Sequence, residues 1–121
     1  MKVTIAHSTT TTGLMRKTNY FDVTVAVQFS PSERGIIERY DLGVVNVLDR
    51  DPPAGSRDVD GQPDFFNLKI RHLLEGPNAY RCFTPLNAKS YDAQLRDALQ
   101  KLKAYLDANA TPMSGSDTFE L

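Results

Sequence analysis

The chain has 121 residues, of which 40% are hydrophobic and 24% charged, and its net charge is −1. This length predicts one ordinary domain with its own core, and the near-zero charge excludes a long-range field that would steer the protein to nucleic acid or to an anionic bilayer. A single cysteine excludes an intrachain disulfide, and no apolar run is long enough for a signal peptide or a membrane span. We therefore expect a cytoplasmic protein that does not associate with membranes.

Residues 3–29 predict a β-hairpin. Val3, Ile5, His7, Thr9 and Thr11 form one alternating face and Gly13 follows. Apolar residues from Phe21 to Phe29 then alternate again with more polar ones. A phosphate-binding loop is the alternative for the threonine-rich stretch, but such a loop needs several glycines and a following helix, and the chain continues into a strand. Strands with one apolar face and one polar face are typical of antiparallel sheets, so we expect an antiparallel sheet.

A short helix and another strand follow the hairpin. Ser30 and Glu33 have the spacing of a capping box, and Pro31 suits the first helical position. The segment 44–48 predicts a strand. Residues 49–64 are rich in Pro, Gly and Asp and contain one valine, so we expect a mobile acidic surface loop.

The last third of the chain predicts a second hairpin and a long helix. Residues 65–74 alternate, a turn follows at 75–78, and residues 79–83 return as a strand. From Thr84 apolar residues recur at helical spacing to Leu106, which predicts an amphipathic helix that covers one face of the sheet. The predicted fold is a two-layer α+β domain over residues 1–109, with about five antiparallel strands, and a disordered tail over 110–121.

Few residues in the sequence are candidates for catalysis or for metal binding. His7, His72 and Cys82 lack metal-binding spacing, and an aspartate-rich stretch at 56–67 resembles a calcium loop but lacks two of its ligands. No nucleophile or nucleotide motif is present, so we expect no catalytic residues, no metal and no cofactor, and we favour a non-enzymatic protein.

Two groups of residues are candidates for binding. A sheet face would combine aromatic and basic side chains, and the hairpin would present hydroxyls and two cations. The sheet-face group is Phe65, Asn67, Lys69, Arg71, Arg81 and Phe83, and the hairpin group is Thr9, Thr11, Arg16 and Lys17.

Three functions follow from these candidates. The leading one is an interaction protein that binds a protein partner or a second copy of itself through its sheet face or hairpin edge. The first alternative is a single-stranded nucleic-acid-binding module that uses the basic and aromatic face. The second is a small-molecule-binding or enzymatic domain with a pocket between helix and sheet, containing His72, Tyr91 or Cys82. The C-terminal residues Phe119, Glu120 and Leu121 could also dock as a peptide.

Overall fold

The computed structural model describes residues 1–49 and 67–114, with side chains described as far as residue 110. Within these residues, nine elements follow one another. They are β1 (Lys2–Thr12), β2 (Thr18–Gln28), α1 (Pro31–Arg39), a 3₁₀ turn (Leu42–Val44), β3 (Asn46–Leu48), β4 (Leu68–Lys69), α2 (Ile70–Glu75), β5 (Asn78–Cys82) and α3 (Pro85–Ser114).

The strands form two antiparallel sheets. The larger sheet has the order β1-β2-β5, and the smaller one joins β3 to β4. All eleven residues of β1 pair with β2, from Lys2 opposite Gln28 to Thr12 opposite Thr18. Strand β5 pairs with the middle of β2 only, from Phe21 to Val25. The outer part of the hairpin, residues 10–20, therefore extends beyond the end of β5, and we call it the hairpin arm.

The core lies between one face of the larger sheet and α3. Val23, Val25 and Val27 of β2 are buried, as are Tyr80 and Cys82 of β5. Because directly opposite residues in an antiparallel pair share a face, the register also places Val3, Ile5 and His7 of β1 on this side. The helix contributes a buried stripe at helical spacing, which consists of Ala88, Tyr91, Leu95, Leu99 and Leu106.

Helix α1 begins with the predicted capping box. The Ser30 hydroxyl accepts a hydrogen bond from the Glu33 backbone N–H, and a Glu33 carboxylate oxygen accepts one from the Ser30 N–H. The same carboxylate forms a buried ion pair with the Met1 ammonium at 2.9 Å. Burial alone would raise the pKa of Glu33, but the hydrogen bonds from Met1 and Ser30 outweigh it and hold the pKa below its ordinary value.

The predicted α+β fold, with about five antiparallel strands and a long C-terminal helix, is confirmed. The second hairpin differs in detail, because Ile70–Glu75 forms helix α2 and β4 keeps only two residues. Ile70 and Leu73 are buried together, which matches the three-residue spacing of a helix. Strand β4 pairs with β3 rather than with β5, and β5 pairs with β2.

Two further expectations concern the loop and the tail. The predicted mobile loop lies outside the described residues, apart from Asp49. The backbone of α3 continues to Ser114, so the helix includes the first residues of the predicted tail. A helix that is already formed extends at low cost, since each added residue gains one hydrogen bond. Residues 115–121 lie outside the described part of the chain.

Candidate interaction site

Strand β1 forms one edge of the larger sheet. It pairs with β2 on one side, and no other strand among residues 1–49 and 67–114 pairs with its second side. Natural proteins block such edges with proline, bulges, short strands or charges. Over its eleven residues β1 has no proline and no register shift, and its ionisable side chains are Lys2 and His7. This long regular edge can accept hydrogen bonds from, and donate them to, an added strand.

A shallow cleft of about 290 Å³ lies between β1 and α3. Its lining combines Met1, Val3 and Ile5 with Arg96, Leu99, Gln100 and Lys103 of the helix. Among the described residues no side chain of β2 or β5 lines it, so the cleft opens beside the free edge rather than beneath the sheet. Most of the lining is apolar, and each of its two cations pairs with a carboxylate of α3, Arg96 with Asp92 and Lys103 with Asp107. A strand added to β1 would direct every second side chain into this cleft.

His7 connects the edge strand to α3. Its imidazole Nε2 bonds the Asp92 carboxylate, and the same carboxylate accepts a hydrogen bond from Arg96, one turn further along the helix. Burial alone would raise the pKa of Asp92, but the bonds and charges of Arg96 and His7 outweigh it and hold that pKa below its ordinary value. This contact holds the middle of β1 against the helix, so that the edge and the cleft keep a fixed geometry.

The hairpin arm ends in an exposed turn. Leu14 is 100% exposed and Met15 is 98% exposed, and the cations Arg16 and Lys17 follow them. Gly13 permits this turn because its φ is +102° and a Cβ atom there would lie 1.9 Å from the carbonyl oxygen of Arg16. The arm therefore presents two apolar side chains and two cations on a short, well-defined support.

The face of the larger sheet opposite α3 carries a polar and aromatic cluster at the base of the arm. Arg81 donates a hydrogen bond to Asp22 at 3.1 Å, and its guanidinium lies 4.6 Å from the ring centroid of Tyr20. Thr10 also donates to Asp22, and Phe83 makes an edge contact with Tyr20. Burial alone would raise the pKa of Asp22, but the bonds from Arg81 and Thr10 hold it below its ordinary value.

The described members of the predicted sheet-face group lie on different elements. Arg81 on β5 and Phe83 directly after it belong to the cluster beside Tyr20, whereas Asn67 and Lys69 lie at β4 in the smaller sheet. Arg71 is exposed on α2, and Phe65 lies outside the described residues. The prediction assumed a hairpin between residues 65–74 and 79–83, and the observed pairing of β4 with β3 separates its two halves.

The hairpin group does lie on one hairpin, with both threonines on the same face of β1. Thr9 shares the helix side with Phe21 and faces a small cavity that Pro85 and Ala88 also line. Thr11 donates a hydrogen bond to Asn19 at 2.8 Å, and Arg16 and Lys17 are exposed in the turn. Sequence reasoning missed Thr10, Tyr20 and Asp22, because only the pairing of β5 with β2 brings them beside Arg81.

An apolar groove of about 820 Å³ lies between α3 and β3. None of the three residues expected in a helix–sheet pocket lines it. Cys82 and Tyr91 are buried in the core, where the Tyr91 ring lies 5.0 Å from that of Tyr80, and His72 lies on α2. Burial raises the pKa of Tyr80 to about 12, although its hydrogen bond with Tyr91 acts in the opposite direction.

Comparison of the chain with protein-family models, with curated proteins and with solved structures finds no significant match. Within residues 1–49 and 67–114, no three His, Cys, Asp or Glu side chains come together as a metal site. No helix in the same part of the chain has the length and apolar character needed to cross a bilayer.

Proposed function

We propose that this is a small non-enzymatic interaction protein that accepts a strand of a protein partner, or of a second copy, at the free edge of β1. The observation that carries the proposal is the length and regularity of this edge, eleven residues that pair on one side. Such an edge has a row of backbone donors and acceptors that water or an added strand must satisfy. The apolar cleft beside it supports the same conclusion, since side chains of an added strand would fill it.

The edge of β1 is a preformed binding site. The bond between His7 and Asp92 fixes β1 on α3, and full pairing with β2 keeps the strand extended. When a partner strand binds, only the partner would therefore lose conformational freedom, because β1 does not need to reorganise. A second copy is included among the candidate partners because it presents the same edge, and homodimers with two-fold symmetry are the commonest oligomers.

The nucleic-acid alternative has weaker support. On the face of the sheet opposite α3, Arg81 is paired with Asp22, and Lys69 and Arg71 lie on other elements. A guanidinium that is already paired with a carboxylate releases few counterions when it contacts a phosphate backbone, so it adds little affinity for nucleic acid. The small-molecule alternative is supported by the volume of the α3–β3 groove, but the residues expected to carry chemistry do not line that groove.

Light scattering of the purified protein tests the proposal. We expect a measured mass larger than the 13.5 kDa of one chain, because the protein forms a dimer or a complex. This mass should decrease when the protein is diluted. The edge variant Thr4→Lys/Ala6→Lys places two lysines on β1, the residue type that natural proteins use to block edges, and should return the mass to 13.5 kDa.

The matched control is Thr24→Lys/Ala26→Lys, because these residues lie directly opposite Ala6 and Thr4 on the paired strand. It adds the same charge to the same face of the sheet but leaves the edge itself unchanged, so the larger mass should persist. A protein that stays strictly monomeric at high concentration and co-purifies with nothing would contradict the proposal.

A further inference from the structure

The cleft beside β1 specifies the chemistry of the strand that would fill it. Its floor is formed by Val3, Ile5 and Leu99, and its rim carries Arg96 and Lys103. Since alternate side chains of a strand point to one side, an added strand should carry apolar residues two positions apart. Both cations already pair with carboxylates of α3, Arg96 with Asp92 and Lys103 with Asp107, so the apolar residues set the preference of the cleft. The volume of about 290 Å³ is at the low end for ligand pockets, so it suits one or two side chains rather than a cofactor.

The chain itself contains a segment with this pattern. Residues 115–121 have the sequence Gly-Ser-Asp-Thr-Phe-Glu-Leu, in which Phe119 and Leu121 are two positions apart. The segment contains no proline, so each of its residues can contribute a backbone N–H to a strand ladder. We propose that residues 115–121 of a second copy add as a strand to the free edge of β1, with Phe119 and Leu121 in the cleft. This inference rests on the proposed function and names the added strand.

The reach of the segment favours a second copy over the same chain. Helix α3 rises about 1.5 Å per residue, so its last residue, Ser114, lies about 17 Å beyond Lys103 at the near end of the cleft. Phe119 follows Ser114 by five residues, which span at most about 17 Å when fully extended. No length remains for reversing direction or for crossing from the helix to the strand. A second copy has no such restriction, and two copies can exchange segments reciprocally.

A complementation experiment tests this arrangement by sedimentation velocity on full-length chains. Variant Val3→Glu places a carboxylate in the cleft, and variant Phe119→Ser/Leu121→Ser removes the apolar side chains of the segment. Each variant alone should self-associate at least tenfold more weakly than the wild-type chain. Their mixture should associate with 1:1 stoichiometry, because one variant supplies an intact cleft and the other an intact segment. Val44→Glu is the matched control, since it changes an exposed valine that does not line the cleft.

A second measurement covers the case in which Val3→Glu fails to fold. A labelled peptide with the sequence of residues 114–121 should bind the wild-type chain, as measured by fluorescence anisotropy. Exchanging Phe119 and Leu121 for serine in the peptide should lower its affinity at least tenfold. If the peptide does not bind, or if both variants fold and their mixture does not associate, the inference is wrong.

The failure of this inference can be distinguished from failure of the proposed function. If Phe119→Ser/Leu121→Ser self-associates as the wild-type chain does, while Thr4→Lys/Ala6→Lys is monomeric, residues 115–121 are not the added strand. The edge of β1 would then accept another strand, and the proposed function would stand. If neither variant changes the association, both proposals are wrong.

Discussion

The imidazole of His7 on the edge strand bonds the carboxylate of Asp92 on α3, and this contact connects the outermost strand of the sheet to the helix that covers it. We expect Asp92→Asn to lower the free energy of unfolding by about 0.5–1 kcal/mol, the range of partly exposed ion pairs, because the His7 side chain is 47% exposed. Hydrogen exchange should become faster at the amides of β1 around His7.

Asp97→Asn is the control for this prediction. Asp97 forms an exposed pair with Lys101 on the same helix at 3.0 Å, so its loss should leave both stability and exchange in β1 nearly unchanged. Equal exchange rates in β1 for the two variants would show that His7 and Asp92 do not hold the strand.

The turn of the hairpin arm requires glycine at position 13. Gly13→Ala should lower the free energy of unfolding by more than about 1 kcal/mol, because its φ is +102° and the new Cβ would lie 1.9 Å from the Arg16 carbonyl oxygen. Gly35→Ala on α1 is the matched control, since a Cβ there meets nothing within 4 Å and alanine favours a helix by about 1 kcal/mol. Urea unfolding of both variants should give opposite signs, and a harmless Gly13→Ala would contradict the turn geometry.

The ion pair of Glu33 with Met1 should contribute more stability than the cap alone. Glu33→Gln leaves the Met1 ammonium without its buried counter-charge, and we expect a loss of about 2 kcal/mol. Ser30→Ala removes one cap hydrogen bond and should cost about 1 kcal/mol. Glu38→Gln, an exposed residue of the same helix, is the control and should change stability little. Equal losses for Glu33→Gln and Glu38→Gln would contradict the buried pair.

Acid should destabilise the protein through three carboxyl groups. The pKa values of Asp22, Glu33 and Asp92 are lower in the folded protein than in the unfolded chain. As pH falls below the unfolded values, about 3.9 for Asp and 4.3 for Glu, the unfolded chain binds protons first. These groups therefore stabilise the fold fully above about pH 5, and their contribution is lost as pH falls through the folded pKa values.

Urea unfolding between pH 7 and pH 3 measures this effect. The free energy of unfolding should decrease below about pH 4.5, and the combined variant Asp22→Asn/Glu33→Gln/Asp92→Asn should show a smaller decrease. An identical slope for the variant and the wild-type chain would mean that other groups cause the acid sensitivity.

Local patterns in the sequence were sufficient to predict most of the elements. The alternation of Phe21 to Phe29 predicted β2, the Ser30–Glu33 box predicted the start of α1, and the spacing from Ala88 to Leu106 predicted α3. Residues 68–74 were ambiguous, because Ile70 and Leu73 fit a helix while Leu68, Ile70 and Leu74 fit a strand. A short apolar run is compatible with both periods. The helix forms because it buries Ile70 and Leu73 together in the core.

The candidate site was less predictable, because it depends on contacts between distant parts of the chain. Arg16 and Lys17 could be placed in the hairpin from local sequence alone. The cleft requires Val3 and Leu99 to come together, and the cluster around Arg81 requires β5 to pair with β2 rather than with β4. Such pairings are set by the packing of the whole core, and no local propensity specifies them.

Hydrogen exchange of the β1 amides at low and high protein concentration, or with a bound partner, tests the central claim most directly. An added strand would bond the backbone groups of β1 that face away from β2, so alternate amides between Lys2 and Thr12 should exchange at least tenfold more slowly in the complex. Amides of β5, the opposite edge of the same sheet, should show no such change. Association without protection in β1 would contradict strand addition at this edge.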